Sequence, residues 1–215
     1  FKIGKEAFTR FGPSIVEEVA LRGGRIFLDL KFHDIPNTVA RATEAALKMP
    51  VSMFTIHASG GAAMMRESVK AARGISDAHG TEPPLVLAVT VLTSLNDDDV
   101  GAIGFSAPTG DLVTRLALLA CEAGVSGVIA SPGDIVSIKK ACGEDFIVVT
   151  PGIRLEEAVT GDDQKRTLTP KQALAQGADF IVVGRPIRMA PDPAATADRI
   201  VIDIGEGLAE RKNPS

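Results

Sequence analysis

Tryptophan and tyrosine are absent from this 215-residue sequence, and nine phenylalanines are its only aromatic residues. Base stacking would fall to those phenylalanines alone, which argues against single-strand nucleic-acid recognition. A basic excess is lacking as well. There are 23 Lys and Arg against 27 Asp and Glu, a net charge of −4, and the pI is about 5.4; a phosphate-backbone binder carries the opposite sign. Cysteine is scarce. Cys121 and Cys142 fall inside helical patterns and read as free thiols of a cytosolic protein, not as a disulfide framework or metal cluster. Long apolar runs are missing too. The longest, Leu85 to Leu92, has eight residues including Thr90, against ~20 for a membrane span. No secretory leader is expected, because Phe1-Lys2-Ile3-Gly4 opens directly into patterned sequence. Hydrophobic residues make up 45% and charged residues 23%, ordinary for a globular chain. The length suits one domain, taken as residues 1–215.

What is present is an alternation of strand and helix. Short apolar or β-branched runs recur at Phe1–Gly4, Ile26–Phe32, Met53–His57, Leu85–Leu92, Gly127–Ala130, Phe146–Thr150 and Phe180–Gly184. Helix punctuation stands between them: Ser131-Pro132 before a helix stopped by Gly143, Thr169-Pro170 before one stopped by Gly177, and Asp192-Pro193 opening the last. Leu112, Leu116, Leu119 and Ala123 recur at helical spacing and form one apolar face. Alternating strand and helix implies parallel strands joined by right-handed crossovers. No strand run is followed by G-x-G-x-x-G, so an open dinucleotide-binding sheet is disfavoured. The α/β fold expected is therefore a (β/α)8 TIM barrel. It needs eight strands; the runs supply one βα unit fewer, and the first residue is Phe, not Met. The first β-strand of the barrel is expected to be missing from this chain.

The most informative segment is Ile26-Phe27-Leu28-Asp29-Leu30-Lys31-Phe32. Strand alternation places Ile26, Leu28, Leu30 and Phe32 on one face and Phe27, Asp29 and Lys31 on the other. Charges facing a barrel interior are costly unless paired. Lys2 lies on the preceding strand, on the face of Gly4, so Lys2, Asp29 and Lys31 are expected to converge. His33 and Asp34 follow at the C-terminal end of the strand, where barrel active sites are built.

A second constellation suits phosphate. Thr150-Pro151-Gly152-Ile153-Arg154 and Gly184-Arg185-Pro186-Ile187 follow the last two strands, where barrels often hold an anion on backbone N–H groups. Gly152 and Gly184 let the backbone approach it, and Arg185 can pair with it bidentately. Between them, the polar stretch from Arg154 to Thr167 is long for a βα loop and reads as a lid. Other charged features read as structural. His57 is expected to be a satisfied histidine at a strand end, and His33 and His79 lack metal-ligand spacing. Asp97-Asp98-Asp99 after Asn96 is helix N-terminal charge meeting the macrodipole.

Asp29-Leu30-Lys31-Phe32-His33-Asp34-Ile35-Pro36-Asn37-Thr38 resembles the D-x-K-x-x-D-I-P-N-T signature of the orotidine 5′-monophosphate decarboxylase family. The resemblance runs in order through Lys2–Glu6, His57–Gly61, Val89–Ser94, Thr150–Arg154, Asp163-Gln164-Lys165-Arg166 and Val183–Pro186. It implies a cytoplasmic, homodimeric (β/α)8 barrel that converts orotidine 5′-monophosphate to UMP and CO2 with no metal or organic cofactor. The implied Lys-Asp-Lys-Asp network is Lys2, Asp29, Lys31 and Asp34. Asp34 would be lent across the dimer interface, with Ile35 and Thr38 near it. Thr93 would contact the pyrimidine; Gln164 and Arg185 would contact the phosphate, with Gly184 on the same loop. An aspartate that the family carries on its first strand has no match here. The competing resemblance is to magnesium-dependent hexulose-phosphate synthases and ketogulonate-phosphate decarboxylases, which share D-x-K-x-x-D. Ile35-Pro36-Asn37-Thr38 and Asp163–Arg166 favour the nucleotide enzyme. A non-catalytic phosphate binder would have no need of buried Lys2, Asp29 and Lys31.

Overall fold

The computed structural model describes residues 1–155 and 168–212. In chain order the elements are β1 (Lys2–Gly4), α1 (Lys5–Phe11), α2 (Ser14–Leu21), β2 (Ile26–Phe32), α3 (Pro36–Ala46), β3 (Val51–His57), α4 (Gly61–His79) and β4 (Leu85–Val89). They continue with α5 (Asp97–Ala102), α6 (Thr109–Glu122), β5 (Gly127–Ile129), α7 (Ile135–Cys142), β6 (Ile147–Pro151), α8 (Pro170–Ala175), β7 (Phe180–Val182), α9 (Arg185–Arg188) and α10 (Pro193–Lys212). The seven strands follow chain order in the sheet and are parallel in the pairs β1–β2, β2–β3, β3–β4 and β6–β7. That is the strand order of a (β/α)8 barrel, with seven of the eight strands found among the described residues. All seven expected runs form strands, with small shifts at the ends. The fourth stops at Val89 rather than Leu92, because a turn closed by Leu95 N–H to Leu92 C=O (2.9 Å) takes the chain off the sheet.

The chain divides into two compact units, Phe1–Thr90 with Leu116–Val128, and Val91–Arg115 with Ile129–Ser215. In the first, Ile26, Leu28, Phe54, Ile56 and Leu87 are essentially fully buried. Burying each such side chain contributes roughly 1.5–3 kcal/mol. Helices α3 and α4 bring Thr43 and Ser68 together, both fully buried, and their hydroxyls share a 2.8 Å hydrogen bond.

The second unit is pinned by Lys139. Its side chain is 4% exposed, and its ammonium donates to Glu144 C=O (2.7 Å), Phe146 C=O (3.0 Å) and Asp179 Oδ2 (2.8 Å). Asp179 Oδ2 also accepts from Val148 N–H at 2.8 Å, which ties α7 to the β6 and β7 region. Helix α10 comes so close to α8 that a Cβ on Gly207 would lie 2.4 Å from the Lys171 carbonyl oxygen.

The expected caps divide. Thr169 forms a reciprocal capping box with Gln172, and Asn96 does so with Asp99. Asp192 Oδ1 accepts from Ala195 N–H at 3.0 Å. Ser131 does not cap with its side chain; Pro132–Asp134 forms a 3₁₀ turn first, and α7 begins only at Ile135. No described helix is long and apolar enough to cross a membrane.

Candidate active site

In the first unit, Lys2, Asp29 and Lys31 meet as the alternation implies. Asp29, with a side chain only 11% exposed, receives Lys31 Nζ on Oδ1 at 2.6 Å and Lys2 Nζ on Oδ2 at 3.1 Å. Burial alone would raise the Asp29 pKa. The hydrogen bond and charge of Lys31, followed by those of Lys2, outweigh it and hold the carboxyl below its ordinary value. Two ammonium groups facing one carboxylate leave one net positive charge, so the cluster suits an anion.

The strand carrying these residues is not regular. Leu28 pairs with Phe54 but Phe32 with Ile56, so β2 spends four steps where β3 takes two. The extra length is a bulge over Asp29–Lys31. Lys31 lies in it with φ +56°, and it is the single non-glycine residue with positive φ among the described residues. That conformation costs an L-residue about 1–2 kcal/mol. Strict two-residue alternation therefore does not hold through the end of β2, although Asp29 and Lys31 still meet.

Two groups from β3 complete this cluster. Thr55, fully buried, accepts Lys31 N–H on Oγ1 at 2.9 Å and donates to Asp29 Oδ1 at 3.1 Å. His57 is half-buried, its ring centroid 5.1 Å from that of His33. Burial, His33, and the ammonium groups of Lys31 and Lys5 press its pKa down to about 4, against a smaller opposing pull from Asp29. Sequence reasoning passed over Thr55. Alternation puts Thr55 on the face of His57, but its role depends on the β2 bulge, which one strand alone does not show.

Asp34, Ile35 and Thr38 stand elsewhere. All three are exposed at the entrance to α3. Asp34 Oδ1 accepts from Ile35 N–H at 2.7 Å, and Ile35 is 66% exposed. No ion pair joins Asp34 to the three-residue cluster among the described residues.

In the second unit, a cavity of about 480 Å³ is lined by Thr93, Ser94, Asp97, Ser131, Pro151 and Arg185, among others. Small-molecule sites span ~300–1,000 Å³. Thr93 and Arg185, both expected at the ligand, thus share one cavity. Asp97 shapes its wall by accepting from the backbone N–H of Thr109 (2.8 Å) and from its hydroxyl. Ser94, Asn96, Asp97, Thr109, Ser131 and Asp134 were not read from sequence as lining residues. They come from two separate stretches of chain, and only tertiary structure joins them.

Gly152 has φ +80°, which favours glycine there. Gly184 does not need its missing side chain for room, since a Cβ there would meet open space; it precedes Arg185, the first residue of α9. Thr150 is fully buried, and its hydroxyl has no hydrogen-bond partner among the described residues. The expected lid lies largely outside the described residues, and so does Gln164. Its two flanks meet: Ile153 bridges Leu168, and Arg154 N–H donates to Leu168 C=O at 3.1 Å.

The model of the "Orotidine 5'-phosphate decarboxylase / HUMPS family" matches residues 1–200. The chain belongs to this family. A relative in Syntrophus aciditrophicus named orotidine 5'-phosphate decarboxylase is 54% identical over 98% of this chain and 84% of its own length. Another of that name, in Syntrophotalea carbinolica, is 49% identical over 98% of this chain and 86% of its own. A crystal structure of orotidine 5'-phosphate decarboxylase from Lactobacillus acidophilus superposes with a TM-score of 0.83 at 38% identity, covering 94% of this chain and 85% of that one. The decarboxylase family match spans the lysine–aspartate cluster and the cavity alike.

Proposed function

We propose that this chain decarboxylates orotidine 5′-monophosphate to UMP and carbon dioxide. The observation that carries the reading is the convergence of Lys2 and Lys31 on the Asp29 carboxylate, with one positive charge in excess. Loss of CO2 from the orotate ring leaves an electron pair at C6. With no electron sink in the ring, that charge has to be met by preorganised groups of the protein. Lys31 is the group assigned to it: an ammonium beside C6 as the C–C bond breaks, then the acid that transfers its proton to the carbon. Asp29 and Lys2 hold that ammonium in place. Asp29 lies at 2.6 Å from it, so any displacement of Lys31 toward substrate is resisted by an ion pair.

Thr93, Gly184 and Arg185 are assigned to ligand binding, Arg185 to the phosphate, with Gln164 contributing from outside the described residues. Phosphate binding far from the reacting bond aligns the ring, so a truncated substrate loses kcat as well as KM. Asp34 is assigned to the active site of a second copy of the chain, with Ile35 and Thr38. Its exposure, and that of Ile35, support a homodimer that shares the site. A cytoplasmic enzyme accords with a sequence of only two cysteines.

The competing reading is a magnesium-dependent phosphosugar enzyme of the same family. Relatives near 50% identity over nearly the whole chain carry the decarboxylase name, which favours the nucleotide substrate. The discriminating experiment is decarboxylation of orotidine 5′-monophosphate in excess EDTA, followed by ultraviolet absorbance. Turnover is expected with the chelator present. Lys31→Ala should abolish it while UMP still binds. Wild-type turnover in Lys31→Ala, or activity only on a pentulose phosphate with magnesium, refutes the assignment.

A further inference from the structure

The Lys31 backbone is held in an unfavourable conformation, and one side chain stands where it can hold it. Thr55 uses both capacities of its hydroxyl. The oxygen accepts from Lys31 N–H at 2.9 Å, and the proton goes to Asp29 Oδ1 at 3.1 Å. Lys31 Nζ donates to that same Oδ1 at 2.6 Å. The contacts close a ring from the Lys31 backbone through Thr55 and Asp29 to the Lys31 ammonium. Both ends of the lysine are thereby fixed, one by a hydroxyl and one by a carboxylate.

The sheet cannot do this work itself. Across the bulge, no β2–β3 residue pairing is made between Leu28↔Phe54 and Phe32↔Ile56. The part-buried Lys31 N–H is instead given an acceptor by Thr55. Thr55 is fully buried, so no water competes for its hydroxyl.

We propose that Thr55 is a positioning residue for decarboxylation: its hydroxyl locks the bulged, positive-φ backbone of Lys31 and the Asp29 carboxylate into one geometry, and so sets where the Lys31 ammonium stands. The proposal rests on the assignment of Lys31 made above. Displacing a reacting group by ~1 Å lowers rate by ~100-fold, and the change removes none of the residues assigned to the phosphate. The effect therefore falls on kcat rather than KM.

The test is Thr55→Val, which keeps the shape and removes both hydrogen bonds, beside Thr55→Ser, which keeps the hydroxyl. Thr55→Val should lower kcat by about 10- to 100-fold with KM within about threefold of wild type. Thr55→Ser should recover kcat to within about threefold, and a crystal structure of the Val variant should show Lys31 out of the positive-φ region. UMP binding certifies the fold of each variant, and Thr55→Ala carries the same test should the Val chain not fold. Wild-type kcat in Thr55→Val overturns the proposal, and so does a Ser variant as slow as the Val variant. An inactive Lys31→Ala beside a fully active Thr55→Val overturns the positioning role alone. A fully active Lys31→Ala removes the assignment of Lys31 and the proposal with it.

Discussion

His57 ends β3 with its ring 5.1 Å from that of His33, and its surroundings hold its pKa at about 4. In the unfolded chain a histidine titrates near ~6.5. Between these values the unfolded state takes up a proton that the folded state refuses. Stability from this group is therefore complete above about pH 6.5 and is lost as pH falls toward about 4. The depressed carboxyl of Asp29 acts in the same direction but lower. Its contribution is present above the ordinary carboxylate range of ~4 and disappears as pH falls through its folded value. The two losses are thus separated in pH. A pKa of about 4 against ~6.5 in the unfolded chain would be worth about 3.4 kcal/mol in full. His57 is only half-buried, and solvent screening reduces this by about half. Of that remainder, about 1 kcal/mol falls between pH 7 and pH 5. His57→Gln removes the titration, so its stability should change less over that interval by about 1 kcal/mol. Urea unfolding at fixed protein concentration measures it, read by far-ultraviolet circular dichroism because the chain has no Trp or Tyr. An identical fall from pH 7 to pH 5 in wild type and variant would refute the account of His57.

Two further substitutions test the second unit. Arg185→Ala should raise KM for orotidine 5′-monophosphate by about 10- to 100-fold, the worth of roughly 1.5–3 kcal/mol for a charged hydrogen bond, with a smaller change in kcat; an unchanged KM removes Arg185 from the phosphate. Lys139→Met deletes an ammonium that serves two carbonyls and Asp179. It should lower stability by about 3 kcal/mol and Tm by roughly 6–12 °C. Thermal melts decide it, and an unshifted Tm would show that the pinning bonds contribute nothing net.

The Lys2–Asp29–Lys31 cluster was legible because it is local. Two charges at spacing two on an apolar strand, with a third on the strand before it, must share a face and must be paired. Strand order was legible for the same reason, since each apolar run is bounded by its own helix punctuation. The capping boxes at Asn96 and Thr169 could be read from a few adjacent residues. Ser131 was misread because Ser-Pro also suits a 3₁₀ turn, and nothing local distinguishes the two. The β2 bulge was not legible. A register shift is a property of two strands together, and β2 taken alone is an ordinary apolar strand. Thr55 escaped notice with it, because its importance arises only once Lys31 N–H has lost its ladder partner. The cavity wall was hidden more deeply, as it gathers residues 91–113 and 131–185.

The features that a plain sheet does not need fall on one spot. Lys31 in a positive-φ conformation, a second ammonium on an already paired Asp29, and a histidine held neutral far below its ordinary range all stand around the end of β2 and β3. The positive φ costs about 1–2 kcal/mol, and the histidine opposes folding as pH falls below about 6.5. A sheet that only needed stability would replace the bulge by regular ladder bonds, and the second lysine by an apolar side chain. Elsewhere the same chain does just that: Leu28 to Phe54 and Ile56 to Ala88 are regular, apolar and fully buried. Strain confined to one polar cluster within an otherwise consistent fold is the mark of a site shaped for something other than the fold. Within one chain the cluster keeps one excess positive charge, which under the proposed function Asp34 of a second copy and the substrate share in balancing.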